Sequence, residues 1–284
     1  VYAGLGSKVC LVEMMPELLP GVDRDLVRFT QKRLQGLFDD IQLEATVTAA
    51  KERKNGVMVT LKDKEGKDQN RLFDKILVAV GRRPRSDGLG LETIGIAKDD
   101  QGFIRVDQQR RTNLSHIFAI GDVAGQPMLA HKASHEGRVA VEVIAGQKSA
   151  YAPLAIPAVV FTDPEIAWAG LTEAEAKDRK VAYKVARFPW GASSRAATLG
   201  APEGLTKLIV DPATERILGV GLVGTGAGEL IAEGTLAIEM GANATDLGLT
   251  IHPHPTLSET LMEAAHVFHH NAAHYYAPKR KSKK

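Results

Sequence analysis

The strongest constraint on the fold of this chain is a set of short runs that are apolar and end on an acid or a glycine. Residues 7–13 (SKVCLVE), 73–80 (FDKILVAV, followed by Gly81) and 116–122 (HIFAIGD) are of this kind. An antiparallel strand with one wet face alternates apolar and polar residues. An unbroken apolar run is instead expected in a parallel strand covered on both faces. The runs therefore predict an α/β fold. Residues 1–5 read as the last turn of a helix, with Gly4 or Gly6 as its C-cap. Helix end, strand and terminal Glu13 make the second half of a β-α-β unit whose first half does not precede them.

Further along, Asp23 is the expected N-cap of a helix carrying Val27, Leu34, Leu37 and Phe38. Residues 46–50 and 56–61 read as strands, with a charged turn at 62–68. A strand over 103–106 precedes the 116–122 run, and a helix over 131–145 stops at Gly146. Pro153 and Pro157 mark a linker, after which the pattern changes. Strands are expected at 158–161, 181–188, 205–210 and 217–223, and a helix at 228–240, which is an α+β arrangement. With 284 residues the chain has room for about two domains. Its 44% hydrophobic and 25% charged residues exclude disorder, collagen and coiled-coil arrays.

A net charge of +2, concentrated in the basic tail 279–284, is too small to point to nucleic acid. No apolar run is long enough to span a membrane and no secretory signal is present, so no membrane association is expected. The single cysteine, Cys10, excludes an intrachain disulfide framework and a cysteine zinc site. It also points to a reducing, cytoplasmic setting.

Several residues can carry chemistry, each with a plainer alternative. Glu13, at a strand end, can accept hydrogen bonds from the ribose of a dinucleotide, or be a solvated glutamate. Gly81 lets a ligand approach the backbone, or merely turns the chain beside Arg82 and Arg83. Gly121 and Asp122 deliver a carboxylate beside a glycine where polyol hydroxyls and a diphosphate can bind, or Asp122 caps a turn. In His252-Pro253-His254-Pro255-Thr256-Leu257-Ser258-Glu259 the prolines stiffen the backbone around His254. Glu259 can then orient the imidazole as the acid of a triad does. Thr256 and Glu259 also have the spacing of a capping box, which needs no catalysis. His266, His270 and His274 have the spacing of one helical face, but no acid completes a metal site, and none is expected. Trp168 and Trp190 fit a core or a subunit contact equally.

In their order these segments resemble the FAD-dependent pyridine nucleotide-disulfide oxidoreductases, and the likeness covers essentially the whole chain. Residues 11–13 resemble the second strand of the family's NAD domain, with Glu13 as its ribose-binding acid, and Val47 is expected with it among the cofactor-binding residues. Residues 78–84 look like the strand that closes that domain at Gly81. Residues 112–122 are similar to the second FAD fingerprint, with Asp122 on the flavin ribitol. Met128, Leu129, Ala130, His131 and Lys132 look like the branch that handles dihydrolipoyl groups, with the backbone near Ala130 facing the flavin. His254 and Glu259 match the family's base and its orienting acid.

The resemblance implies partial FAD/NAD(P)-binding Rossmann-like domains followed by an α+β dimerisation domain. The expected divisions are 1–83 for the NAD domain, 84–153 for a returning part of the FAD domain, and 154–284 for the dimerisation domain. It implies oxidation of protein-bound dihydrolipoyl groups by NAD through FAD and an active-site disulfide. It further implies a homodimer serving the lipoylated acyltransferase core of 2-oxoacid dehydrogenase complexes or the glycine cleavage system. The Cys-x4-Cys pair and both Gly-rich turns are not in these residues. They are expected before Val1, and residues 1–284 alone are expected to be inactive. A glutathione reductase-like enzyme and a non-catalytic dimerisation or docking module are the alternatives.

Overall fold

The computed structural model describes residues 1–276, so the basic tail at 279–284 lies outside the described residues. The chain divides into two compact units, Val1–Ile76 with Pro157–Lys284, and Leu77–Ile156. The first unit opens with β1 (Cys10–Glu13), α1 (Arg24–Leu37) and β2 (Asp40–Leu43), and β1 pairs with β2 in parallel. β3 (Thr46–Arg53), β4 (Gly56–Lys62) and β5 (Asp68–Phe73) follow as an antiparallel sheet with β4 in the middle. The strand predicted over 73–80 ends where it was expected to begin. Residues 76–80 are in no ladder, and Val80 is 92% exposed. A strand apolar on both faces needs neighbours on both, and none of the described residues pairs with it.

In the second unit the strands expected at 103–106 and 116–122 reduce to isolated bridges, Lys98 to Ile104 and Arg111 to Phe118. A small core of Ile96, Ile104 and Ala119 lies beneath them. Gly121–Ala124 form a single 3-10 turn, and α2 (Ala130–Ile144) is the one long helix of this unit among the described residues.

The first unit resumes with β6 (Ala158–Val160), β7 (Glu165–Gly170), α3 (Glu173–Asp178), β8 (Lys184–Pro189), α4 (Ser194–Thr198), β9 (Leu205–Val210) and β10 (Ile217–Gly224). These five strands form one antiparallel sheet in the order β6-β7-β10-β9-β8. α5 (Ala227–Glu239), α6 (Ala244–Leu249) and α7 (Glu259–Phe268) follow among the described residues. Every residue of β9 is buried, so its polar members must find partners inside. Successive residues of a strand face opposite sides, and β9 and β10 use this to receive different helices. On one side Gly221 meets α1: a β-carbon there would come within 2.7 Å of Leu26. On the other, Val220 meets α5 at Gly234, where a β-carbon would approach Val220 to 2.8 Å. In the same way Lys207 points toward α1 and Thr206 toward α7.

Lys207 is 1% exposed and its ammonium donates to Asp23 (2.7 Å), Asp25 (2.8 Å) and Glu173 (2.6 Å). Arg187 of β8 adds contacts to Asp25 (2.6 Å) and Glu173. Asp23 occupies the N-cap position as expected, but its side chain does not cap α1. Its carboxylate accepts instead from the Glu173 N–H and from Lys207. Burial alone would raise the Asp25 carboxyl, but hydrogen bonds and charge from Lys207 and Arg187 outweigh it and hold it below the ordinary range.

A group depressed in the folded state stabilises above its unfolded pKa, and that contribution is lost as pH falls through the folded value. Lys207→Met leaves Asp25 and Glu173 with only Arg187, and Asp23 with only the Glu173 N–H. It is expected to cost about 3–5 kcal/mol near neutrality, and less in acid, where the carboxyls can take up protons. Urea unfolding of both proteins across that pH range measures this, and equal stabilities at neutral pH would contradict the network's role.

Candidate catalytic and cofactor sites

The segment between α6 and α7 brings His254 and Glu259 together. His254 Nδ1 is 2.9 Å from Glu259 Oε1, and the other oxygen, Oε2, accepts the Thr256 N–H at 2.7 Å. The two readings of this stretch, orienting acid and capping box, thus share one carboxylate. The box is only half made, because the Thr256 hydroxyl donates to the Pro253 carbonyl (2.8 Å) and caps nothing in α7. Burial pushes the Glu259 carboxyl upward. The Thr256 N–H and then the hydrogen bond and charge of His254 outweigh it, and the result lies below the usual range. The carboxylate is thus ionised beside an imidazole whose Nδ1 it fixes. His254 is 65% exposed, which leaves Nε2 accessible.

Two buried arrangements hold this pair in place, and neither is visible in the local sequence. His252 is 4% exposed, with Nδ1 2.8 Å from the Thr250 carbonyl and Nε2 2.6 Å from Glu233 of α5. At the start of α7, Trp190 Nε1 donates to Thr206 Oγ1 (2.9 Å), Thr206 to Thr260 Oγ1 (2.7 Å), and Thr260 to the Leu257 carbonyl (2.7 Å). Trp190 is fully buried, which answers the question its sequence left open, while Trp168 packs partly buried against the core beside α1.

In the second unit Gly121 adopts φ +74° with the Ala133 β-carbon 3.1 Å from where its own would be, so only glycine fits without strain. Its N–H donates to Glu136 Oε2 at 2.7 Å. Glu136 is fully buried, and its other oxygen accepts from Arg110 (2.8 Å) and Lys132 (3.1 Å). Lys132 reaches back to the carbonyls of Gly125 (3.0 Å) and Gly121 (3.3 Å). This buried cluster fixes the turn and leaves the Asp122 carboxylate 49% exposed, 3.4 Å from Arg82. Met128 is buried, and Leu129, Ala130 and His131 form the start of α2, which no side chain caps. An acceptor carboxylate and an uncapped helix N-terminus are the groups a flavin's hydroxyl chain and polar ring edge require, so these residues fit the group.

The remaining predicted residues are placed separately. Glu13 ends β1, where Oε1 accepts the Met15 N–H at 2.8 Å, and half-exposed Val47 lies in β3. Gly81 has φ +111° in the extended segment that forms no strand. Cys10 is half-buried in β1. Burial raises its thiol, Arg71 opposes this, and Asp40 raises it further, so it is a poor thiolate source. The shared helical face expected for His266, His270 and His274 does not exist. α7 ends at Phe268, His270 has φ +59°, and His274 turns back to Glu263.

A model of the pyridine nucleotide-disulphide oxidoreductases matches residues 1–137, and a model of their dimerisation domain matches residues 156–265. The chain belongs to this family. It is 48% identical to a dihydrolipoyl dehydrogenase of Vibrio cholerae over 284 residues, all of this chain and 60% of that one. A dihydrolipoyl dehydrogenase of Thermus scotoductus is 50% identical over 275 residues, 96% of this chain and 59% of the relative. Among solved structures, LpdA from Mycobacterium tuberculosis matches with a TM-score of 0.86 and 28% identity, over 94% of this chain and 57% of that one. The HOCl-induced flavoprotein disulfide reductase RclA from Escherichia coli matches with a TM-score of 0.81 and 29% identity, over 92% and 59%. The chain thus spans about 60% of the length of the curated relatives it matches. Members of the family work with FAD and a pyridine nucleotide, as the sequence implied. Among the described residues no helix is long and apolar enough to cross a membrane.

The Glu136 cluster makes a local prediction. Glu136→Gln removes the charge that Arg110 and Lys132 share, and breaking such a buried set costs about 3 kcal/mol or more. Exchange of the Gly121 N–H is expected to accelerate about a hundredfold, read by hydrogen exchange and mass spectrometry. Unchanged protection at Gly121 would show that the turn stands without Glu136.

Proposed function

We propose that these residues are the larger part of a dihydrolipoyl dehydrogenase, with residues 1–83, 84–153 and 154–284 contributing to NAD binding, FAD binding and dimerisation. The observation that carries the reading is the His254–Glu259 pair, an accessible imidazole whose Nδ1 faces an ionised carboxylate. A dithiol is a weak nucleophile until a base takes its proton. His254 Nε2 accepts that proton, and Glu259 stabilises the imidazolium without moving, because the Thr256 N–H anchors its second oxygen. The thiolate formed then exchanges with a disulfide, which a chain with one cysteine must receive from elsewhere. FAD and NAD, when bound, carry the electrons onward.

Asp122 would hold the ribitol hydroxyls of FAD, and the segment from Met128 to His131 would face the flavin ring. In the first unit Glu13 would accept the NAD ribose hydroxyls, with Val47 a further cofactor-binding residue, and in the second unit Gly81 would let a cofactor approach the backbone. A homodimer is supported by the dimerisation-domain match and by the exposed apolar side chains Leu236, Met240, Leu249 and Ile251 in and just after α5 and α6. The substrate is the dihydrolipoyl arm of an acyltransferase core of 2-oxoacid dehydrogenase complexes, or of the glycine cleavage system, in the cytoplasm.

In the longer protein that contains this chain, His254→Gln is expected to lower NAD reduction by dihydrolipoamide by on the order of 10²–10⁴ with flavin content unchanged. Near-normal turnover would refute the role of His254. A preference for NADPH and glutathione disulfide would move the enzyme to the glutathione reductase-like branch.

A further inference from the structure

α7 carries a second acid one turn after Glu259, and it too is paired with a histidine. Glu263 Oε1 lies 2.6 Å from His274 Nδ1. The Glu263 side chain is 6% exposed, and its other oxygen, Oε2, is buried with no partner among the described residues. Residues four apart on a helix share a face, so Glu259 and Glu263 both look into one cavity. That cavity has a volume of about 50 Å³ and is bounded by His254, Glu259, Glu263 and His274, with Ser193 and Ser194 opposite. The space suits a water, and a polar site with an unsatisfied carboxylate oxygen is where one binds. The segment that brings His274 here is anchored, since the Tyr275 ring packs edge-on to Phe188 of β8 with centroids 6.3 Å apart.

We propose that Glu263 and His274 form a second carboxylate–imidazole pair, linked through this cavity to His254 and Glu259, that sets how readily His254 holds a proton. The inference rests on the reading of His254 as the base and deepens it. Two carboxylates stacked on one helix face repel each other, and here each lies against its own imidazole. A proton arriving on His254 therefore enters a group of four ionisable side chains. The other walls, from β8, the turn after it and the start of α4, bring no charged group to the cavity. Besides burial, Thr256 and His254, the charge of His274 already acts on Glu259. Glu263 has no place in the orienting bond between Glu259 and His254, so its effect on His254 is electrostatic.

The test follows the ring signals of ¹⁵N-histidine-labelled chain across the histidine titration range, in two variants with opposite expected signs. Glu263→Gln removes a negative charge that favours the imidazolium, and is expected to lower the His254 midpoint by about 0.5 unit or more. His274→Gln keeps a donor for Glu263 but removes an imidazole that can take up a positive charge, and is expected to raise the midpoint. A merely structural role predicts neither shift. A His254 midpoint that stays in place in either folded variant, or moves the same way in both, overturns the proposal. His274 is more than half exposed, so its variant decides alone if Glu263→Gln does not fold. The titration needs neither cofactor nor turnover, and so can fail while the His254→Gln activity test succeeds, or the reverse.

Discussion

A single buried ammonium joins the two parts of the first unit. Lys207 lies in a strand buried from end to end, and three carboxylates from two helical N-termini converge on it. Hydrophobic burial would let α1 slide over a sheet face that Gly221 keeps flat. Ionic contacts of fixed length do not, because a carboxylate that moved away would stay buried without its partner. The register of α1 and α3 on the sheet is thus set by charge as much as by apolar area. The opposite face of β9 carries Thr206, which reaches α7. The strand that fixes α1 also fixes α7, the helix that presents the candidate base's acid.

How much of this was legible depended on whether a signal was local. Residues 46–50, 56–61, 205–210 and 217–223 were readable as strands because β-branched and apolar residues run up to turn signals, the charged turn at 62–68 and the Pro-containing loop after Val210. The helices at 24–37, 130–144 and 227–239 were readable from their apolar spacing. The failures have one cause. Residues 73–80, 103–106 and 116–122 have the composition of strands buried on both faces, and composition reports an intrinsic demand for neighbours. Only the fold can show whether those neighbours are present. Short β2 was missed because Gln42 interrupts its apolar pattern, although its amide donates to Asp40, and β7, apolar after Glu165, was missed as well.

The site followed the same division. His254 and Glu259 could be paired in advance because five residues and two prolines confine the geometry. Asp122 could be singled out because a glycine precedes it. What the sequence did not disclose were the buried groups that hold these residues: Glu136, Lys132 and Arg110 beneath Gly121, and Glu233 with His252 behind His254. The spacing of Lys132 and Glu136 is that of an ordinary surface ion pair. Only burial turns it into a clamp, and burial is a property of the assembled unit.

Across these sites one chemical device recurs, in which a carboxylate divides its two oxygens between an anchor and a task. Glu259 gives one to the Thr256 N–H and one to His254. Glu136 gives one to the Gly121 N–H and one to its two cations. The anchoring bond costs little, since a buried N–H must be satisfied in any case. It removes the freedom that a glutamate would otherwise spend in alternative rotamers, so that the second oxygen is pre-organised for its partner. Glu263 departs from this pattern, because its second oxygen faces a cavity and has no protein donor among the described residues. By the logic that explains the other two, the unsatisfied oxygen is the one left for something outside the protein's own hydrogen-bond set. The same cavity is lined by His254, and the proposed coupling of the two carboxylate–imidazole pairs would act across it.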